Sequence, residues 1–486
     1  MKQETLSDFV GTKAEEFGVP GVAVGVLIDG QEVYASHGVT NAGNPQPVDE
    51  DTLFHVASVT KTFTATALMR LAAEGKVDLG APVRRYVPEL ELADEAAAAQ
   101  ITVMNLLNHT SGLDWNLIDG GEEDGSLAAF VAKMSELGTI AAPGVRASYS
   151  QAAYNLAGRV IEKVTGLAFE KAVATLVLEP AGLTNTFFDL DEVMIRRFAV
   201  GHTPDANGEL RPARPWRANP FAARGNNPGG GIASSVSDLL RWARFHLGTG
   251  DGVLPTEALH RMREQTVVLR GSTLGDGFGI CWFLRDVDGV RTIGHGGSGQ
   301  GQFAELLIVP ERNFAVVSLA NAGPDGYLFN QSATRWALAH YLGLTEHDPE
   351  PVPYDEARAR EVTGRYEIDA MNLDIAVAEP AAEPVDGSVA RSVARSVARS
   401  AGGSAGGARL TLAVGIKPEI REASDTEMPA DYPAATMGFL PGDGDEYVIT
   451  EGGLKGQRGF FTRDDKGTVV GVDLAGRLFG RAPGAS

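Results

Sequence analysis

Apolar positions along this chain recur with two periods, and the change from one to the other divides it. Leu6 to Phe17 is amphipathic at helical spacing. Gly21 to Asp29 is almost wholly apolar and is followed, across a Gly30 turn, by Gln31 to His37, which predicts a hairpin opening a sheet. In Phe54 to Gly75, FHVASVTKTFTATALMRLAAEG, the residues Phe63, Ala67, Leu68 and Leu71 return every three to four positions until Gly75 stops the helix. Prolines and glycines then make VDLGAPVRRYVPEL irregular. A short helix is expected in Ile101 to Gly112, and a longer one in Tyr149 to Gly166 with Ala153, Leu156, Val160 and Val164 on one face. Further helical segments are expected in Ala168 to Leu178 and Ser237 to Leu247. Period two then takes over in Gly279 to Asp286, Arg291 to Gly294, Phe303 to Pro310 and Ala315 to Ala320, before a last helix, Gln331 to Leu342.

Strands at both ends with helices between them predict an α+β domain over residues 1–344, its terminal strands sharing one antiparallel sheet with helices packed against it. From Tyr354 onward GRYEI, ARLTLAVGI, ATMGFL, EYVIT, GQRGFFTR and TVVGVDL alternate between glycines and prolines. Residues 345–486 therefore read as an all-β domain. Inside it, residues 388–407 repeat SVAR and continue into a Gly/Ser/Ala tract, which is expected to be a disordered insertion.

Charge narrows the partners. A formal charge of −21 argues against nucleic acid and anionic membrane surfaces. The sole cysteine, Cys281, excludes an internal disulfide and reads as a small buried hydrophobe. The N-terminus carries Glu4, Asp8, Glu15 and Glu16 with no apolar run of signal-peptide length, and no stretch approaches the ~18 residues of a membrane span. The expectation is a cytoplasmic protein. The histidines show no metal-ligand spacing, so neither metal nor cofactor is expected.

Ser58 and Lys61 form an S-x-x-K pair at the start of the first long helix. The spacing puts Lys61 one turn along on the same side, within reach of the hydroxyl, while the helix N-terminus brings positive dipole to any oxyanion formed there. A serine needs a neighbour to take its proton, and a partly buried lysine can be neutral enough to do so. An N-capping serine with a surface lysine is the alternative. Two later stretches turn the pair into a constellation: Tyr149-Ser150-Gln151 at a helix start after Pro143-Gly144, and His295-Gly296-Gly297-Ser298 at a strand edge.

With LLNHTSGL at 106–113, YNLAGRVIEKVTG at 154–166, GGGIASSVSDLLRW at 229–242 and GHGGSGQGQFAELLIVPE at 294–311, the chain resembles the penicillin-binding-protein and class C β-lactamase-like serine hydrolases over residues 5–344. The C-terminal domain is similar to the lipocalin-like β-barrel that several members append. The resemblance implies a β-lactamase/transpeptidase-like sheet flanked by helices. It gives Ser58 as the acylated nucleophile, Lys61 as its activator, Tyr149 as proton shuttle with its pKa drawn down by the Lys61 ammonium, either Lys61 or Tyr149 as the base in acylation, and the backbone N–H groups of Ser58 and Ser298 as the oxyanion hole. Gln151, where most relatives have Asn, would bind substrate together with Gly296, Gly297 and Ser298. His295 stands where β-lactamases carry the lysine of K-T-G, which disfavours β-lactam hydrolysis because a neutral imidazole attracts a carboxylate less. His109 and His246 read as structural, and Arg477 and Arg481 as surface charge, with reach over the cleft as the alternative for the arginines.

Within the family the chain resembles the penicillin-binding-protein-type thioesterases of non-ribosomal peptide biosynthesis. That implies transfer of a peptidyl thioester, delivered by a carrier protein, to Ser58, and macrolactam formation or hydrolysis, with the β-domain as a cover against water. The alternatives are a cytoplasmic serine esterase or D-aminopeptidase/D-amino-acid amidase, and a catalytically silent ligand-binding protein.

Overall fold

The computed structural model describes residues 4–117, 124–205, 208–213, 223–250, 252–378, 408–422 and 432–483. The 388–407 tract lies outside them. An eight-stranded antiparallel sheet runs, edge to edge, through Gln31–Gly38, Gly21–Ile28, Phe314–Ala320, Gln302–Val309, Val290–Gly299, Phe283–Val287, Gly275–Phe278 and Val267–Ser272. The apolar run of the expected hairpin, Gly21–Ile28, and that of Phe314–Ala320 are paired inner strands, buried on both faces as continuous hydrophobicity requires.

Each face of the sheet carries its own core. On one side Leu306, Ile308, Val317 and Leu319 pack against the helices Thr60–Ala73, Gln151–Thr165 and Val236–Leu247. On the other, Val22, Val24, Val316 and Val309 meet Leu6–Glu16 and Asp325–Ala337. The first of those two helices starts on a capping box in which Thr5 and Asp8 satisfy each other's end groups.

The last domain closes into an eight-stranded antiparallel barrel, Gly364–Glu367 pairing with Arg477–Arg481. Tyr366, Tyr447, Phe461 and Phe479 fill it. Between the two domains the N–H of Tyr149 donates to the carbonyl of Gly476 at 2.7 Å, and that of Leu478 to Ser148 Oγ at 3.2 Å. The 474–478 hairpin of the barrel therefore rests directly on the segment that leads into the Gln151–Thr165 helix. Among the described residues no helix is long and apolar enough to cross a membrane.

Three local expectations need correction. Two strands at one end of the sheet, Gly275–Phe278 and the edge strand Val267–Ser272, were not anticipated. The strand expected over Gly279 to Asp286 begins only at Phe283, because Cys281 takes a φ of 75° that breaks extended backbone. The strand expected over Arg291 to Gly294 runs on to Gly299, so His295-Gly296-Gly297-Ser298 lies within it, paired with Gln302–Val309 on one side and, past Gly294, open on the other as an edge was expected to be.

Candidate active site

Ser58 sits in a single 3-10 turn, Ala57–Val59, that leads into the helix Thr60–Ala73. Ala57 before it has a φ of 44°, a left-handed conformation that costs a residue with a Cβ. The turn is held by Val56, whose N–H donates to Ile232 O at 3.0 Å. The helix is buried almost all round although every second residue in TKTFTAT is a threonine. Their hydroxyls find partners: Thr62 donates to Val59 O, Thr64 to Pro228 O and Thr66 to Thr62 O.

Lys61 is fully buried. Its Nζ lies 2.6 Å from Gln151 Oε1, 2.7 Å from Gly229 O and 3.2 Å from Ser58 Oγ. Burial pulls the ammonium down to about 7, with the Arg477 guanidinium acting in the same direction. Two of these three neighbours can only accept. A neutral amine would give its two hydrogens to them and leave its lone pair for the Ser58 hydroxyl, the arrangement a general base needs.

Tyr149 approaches Ser58 from the other side. Its ring lies 4.9 Å from Lys61 Nζ, and its hydroxyl bonds to Ser58. Burial raises the phenol above its ordinary value. The expectation that the Lys61 ammonium would bring it down is therefore overturned: desolvation penalises both charges, so the amine gives up its proton and the phenol keeps its own.

His295 is buried and stacked on Phe283 at 4.3 Å, its Nδ1 2.7 Å from Gly296 O. Because that partner is a carbonyl, Nδ1 carries the hydrogen and Nε2 the lone pair, and Nε2 has no partner. Burial, reinforced by Lys61, pushes this imidazole down to about 3, so it is neutral. Gly297 brings the strand against the nucleophile. A Cβ there would fall 2.1 Å from Val56 O and 3.2 Å from Ser58 N, so no other residue allows the approach. Gly296 backs onto Glu305, and Ser298 is exposed beyond them.

Gln151 is turned inward. Its Oε1 accepts from Lys61 while its Nε2 donates to Asn155 Oδ1 at 3.2 Å and Asn226 O at 3.1 Å, so the donor expected for a substrate carbonyl is engaged within the protein. His109 accepts from the Ser150 N–H through Nδ1 and packs on the Tyr149 ring at 4.4 Å. His246 lies among Trp242, Phe245 and Trp282.

The arginine expectation divides. Arg481 stays in the barrel, donating to Val469 O and Thr363 O. Arg477 does not lie on the outer surface: its guanidinium is 5.4 Å from both the Trp115 and the Tyr149 ring, and its Nε has no partner. Sequence reasoning also passed over Gly229, Asn155 and Asn226. The run Gly229-Gly230-Gly231 was the available signal, since a Cβ on Gly229 would fall 2.1 Å from the Gln151 amide.

The family described as Beta-lactamase matches residues 6–341. Penicillin-binding protein 4 of Amycolatopsis lactamdurans is 33% identical over 316 residues, covering 63% of this chain and 82% of its own length. Among solved structures, SurE, also crystallised with D-Leu, aligns over 98% of both chains with a TM-score of 0.71 and 23% identity. The octameric penicillin-binding protein homologue from Pyrococcus abyssi covers 99% of this chain and 100% of its own, with a TM-score of 0.65 and 24% identity. Both structural similarities span the barrel as well as the sheet domain, and at these identities they are similarities of fold.

Proposed function

The chain belongs to the β-lactamase family of serine hydrolases, and from that premise we propose that it is a peptidyl thioesterase working through an acyl-enzyme on Ser58. The observation that carries the chemistry is Lys61, buried without a carboxylate among its three polar contacts and held by two acceptors with Ser58 Oγ as the third. Lys61 takes the hydroxyl proton as Oγ bonds to the thioester carbonyl. The oxyanion falls to the N–H groups of Ser58 and Ser298, and the C–S bond breaks as the thiolate leaves and is protonated. Tyr149, which keeps its proton at rest, is the donor to that leaving group.

Release reverses the path. The peptide's own amine attacks the ester carbonyl and loses its proton to the Tyr149 phenolate left by the first step, and Ser58 leaves with the proton held on Lys61, giving a macrolactam and restoring both groups. Water in place of the amine gives the linear acid. Two features support an acceptor other than water: the 474–478 hairpin lies over Tyr149, and it contributes Arg477, whose unpaired Nε suits an anionic or carbonyl group of a bound peptide. The fold shared with SurE over nearly the whole chain, and the D-Leu present in one of its crystal structures, make a D-residue at the acylated end the form to test first.

The test is intact-protein mass spectrometry after mixing with a peptidyl thioester mimic ending in a D-residue, with the L-epimer and Ser58→Ala as controls. Acylation by the D-epimer with a cyclic product is expected. Linear acid alone would make the protein a hydrolase rather than a cyclase. No adduct with any activated ester would overturn the acyl-enzyme.

A further inference from the structure

Beneath Lys61 lies a set of side-chain amides that no catalytic step uses. Gln151 Nε2 donates to Asn155 Oδ1 and to the backbone carbonyl of Asn226. Asn155 Nδ2 donates in turn to Asn226 Oδ1 at 2.7 Å and to Asn116 Oδ1 at 3.4 Å, and Asn116 Nδ2 donates to Asn226 Oδ1 at 3.0 Å. Asn116, Asn155 and Asn226 are all buried. Carboxamides placed away from water in this number cost stability unless every group is paired, so their retention asks for a reason.

Their polarity supplies one. A side-chain amide can be turned over without changing its shape, which exchanges its oxygen and nitrogen. A backbone carbonyl cannot. The Asn226 carbonyl therefore fixes which end of Gln151 faces it: nitrogen there, oxygen toward Lys61. Asn155 enforces the same choice, since its own nitrogen is committed to Asn226 and Asn116 and its oxygen is left for Gln151. The opposite orientation of Gln151 would set an NH2 group against the N–H groups of Lys61. It would also remove one of the two acceptors that leave the lysine's third direction to Ser58.

We propose that Asn155, Asn226 and Asn116 form a buried amide lattice whose task is to hold Gln151 oxygen-first on Lys61, making Asn155 a positioning residue for nucleophile activation. Gly229 completes the device. Its carbonyl is the second acceptor on Lys61, and its missing side chain is what gives the longer glutamine room. Gln151 then serves the lysine rather than the substrate. The inference rests on Ser58 being acylated and not on which acyl donor does it.

The test measures activation of Ser58 without the natural substrate. A fluorophosphonate labels an activated serine by forming an O–P bond and expelling fluoride, the hydroxyl proton passing to the base. Second-order labelling rates are compared in a double-mutant cycle of Asn155→Leu and Gln151→Met, with melting temperature as the check on folding. Asn155→Leu is expected to slow labelling at least tenfold in the otherwise natural protein and less than twofold in the Gln151→Met background, because Asn155 acts only through Gln151. Equal losses in both backgrounds, or no loss in a folded Asn155→Leu protein, would overturn the proposal. Should Asn155→Leu fail to fold, Asn116→Ala, at the far end of the lattice, takes its place in the same cycle and is read by the same criterion. Labelling proceeds whether or not peptidyl thioesters react, so the failure of the thioesterase reading and the failure of this one give different results.

Discussion

Replacing Arg477 by glutamine tests the link between the barrel and the base. Lys61 Nζ lies 4.9 Å from the Tyr149 ring centre and the Arg477 guanidinium carbon 5.4 Å from the same centre, so the two cations are separated by no more than about 10 Å. At an effective dielectric of about 20, two unit charges at that distance repel by roughly 1.7 kcal/mol, or about one pKa unit. Arg477 is partly exposed, and solvent screens some of this. Removing the guanidinium makes protonation of Lys61 easier. The acid limb of Ser58 labelling, set by a lysine at about 7, should move upward toward roughly 8. At pH 7 the neutral fraction would fall from about a half to about a tenth, a loss of about fivefold, whereas at pH 9 the variant should nearly match the natural protein. Fluorophosphonate labelling from pH 5 to 10 reads both. A limb that stays put, or moves to lower pH, would refute the claim that Arg477 adds to burial in keeping the base neutral.

Gly229→Ala places a Cβ 2.1 Å from the Gln151 amide and should slow labelling at least tenfold, the order of ~1–3 kcal/mol for overpacking; adding Gln151→Asn, one methylene shorter, should restore part of the rate. Lys61→Met should cost more in acylation than Tyr149→Phe, with ~10²–10⁴-fold the usual weight of a general base; equal losses by quenched-flow acylation would return the choice of base to the open. Glu305, half-buried behind Gly296, has its carboxyl pushed up to about 7 from 4.5, so the folded state binds that proton more tightly than the unfolded chain. Its favourable contribution is complete below pH 4.5 and is lost as pH rises through 7, so Glu305→Gln should raise the melting temperature at pH 8 and leave it nearly unchanged at pH 4.5.

What the sequence made legible was mostly local. Ser58 and Lys61 meet because three residues along one helix bring side chains together, and that spacing is written in the chain. Tyr149 and His295 reach the same point only because the sheet sets the Val290–Gly299 strand beside the Ser58 turn, and family motifs, not periodicity, pointed to them. The strands at Val267–Ser272 and Gly275–Phe278 were missed because their sequences, VVLRGS and GDGF, do not alternate apolar with polar residues and are interrupted by glycines; their neighbours supply the pairing. Arg477 was read as surface charge because its contacts with Trp115 and Tyr149 cross from one domain to the other, which no local pattern records. The direction of the tyrosine's pKa was missed for a related reason. A lysine nearby argues for a lowered phenol only when it carries its charge, and the depth of burial that removes that charge is a property of the folded site.

Burial by the barrel hairpin connects these features. An amine and a phenol enclosed together can rest as a charged pair or as a neutral one, and desolvation taxes both members of the charged pair. With Arg477 adding positive charge nearby, the neutral amine is favoured further. When Lys61 then takes the Ser58 proton, the ammonium appears beside the oxyanion that forms in the same step, and each charge stabilises the other where water is scarce. The phenol, still protonated, is ready for the leaving group. On the proposed function, the hairpin that fixes the Tyr149 N–H on Gly476 O would also limit the water that competes with an amine for the acyl-enzyme. Holding the base neutral, keeping the tyrosine protonated and excluding water are thus three effects of one enclosure, and opening the 474–478 hairpin would reverse all of them together.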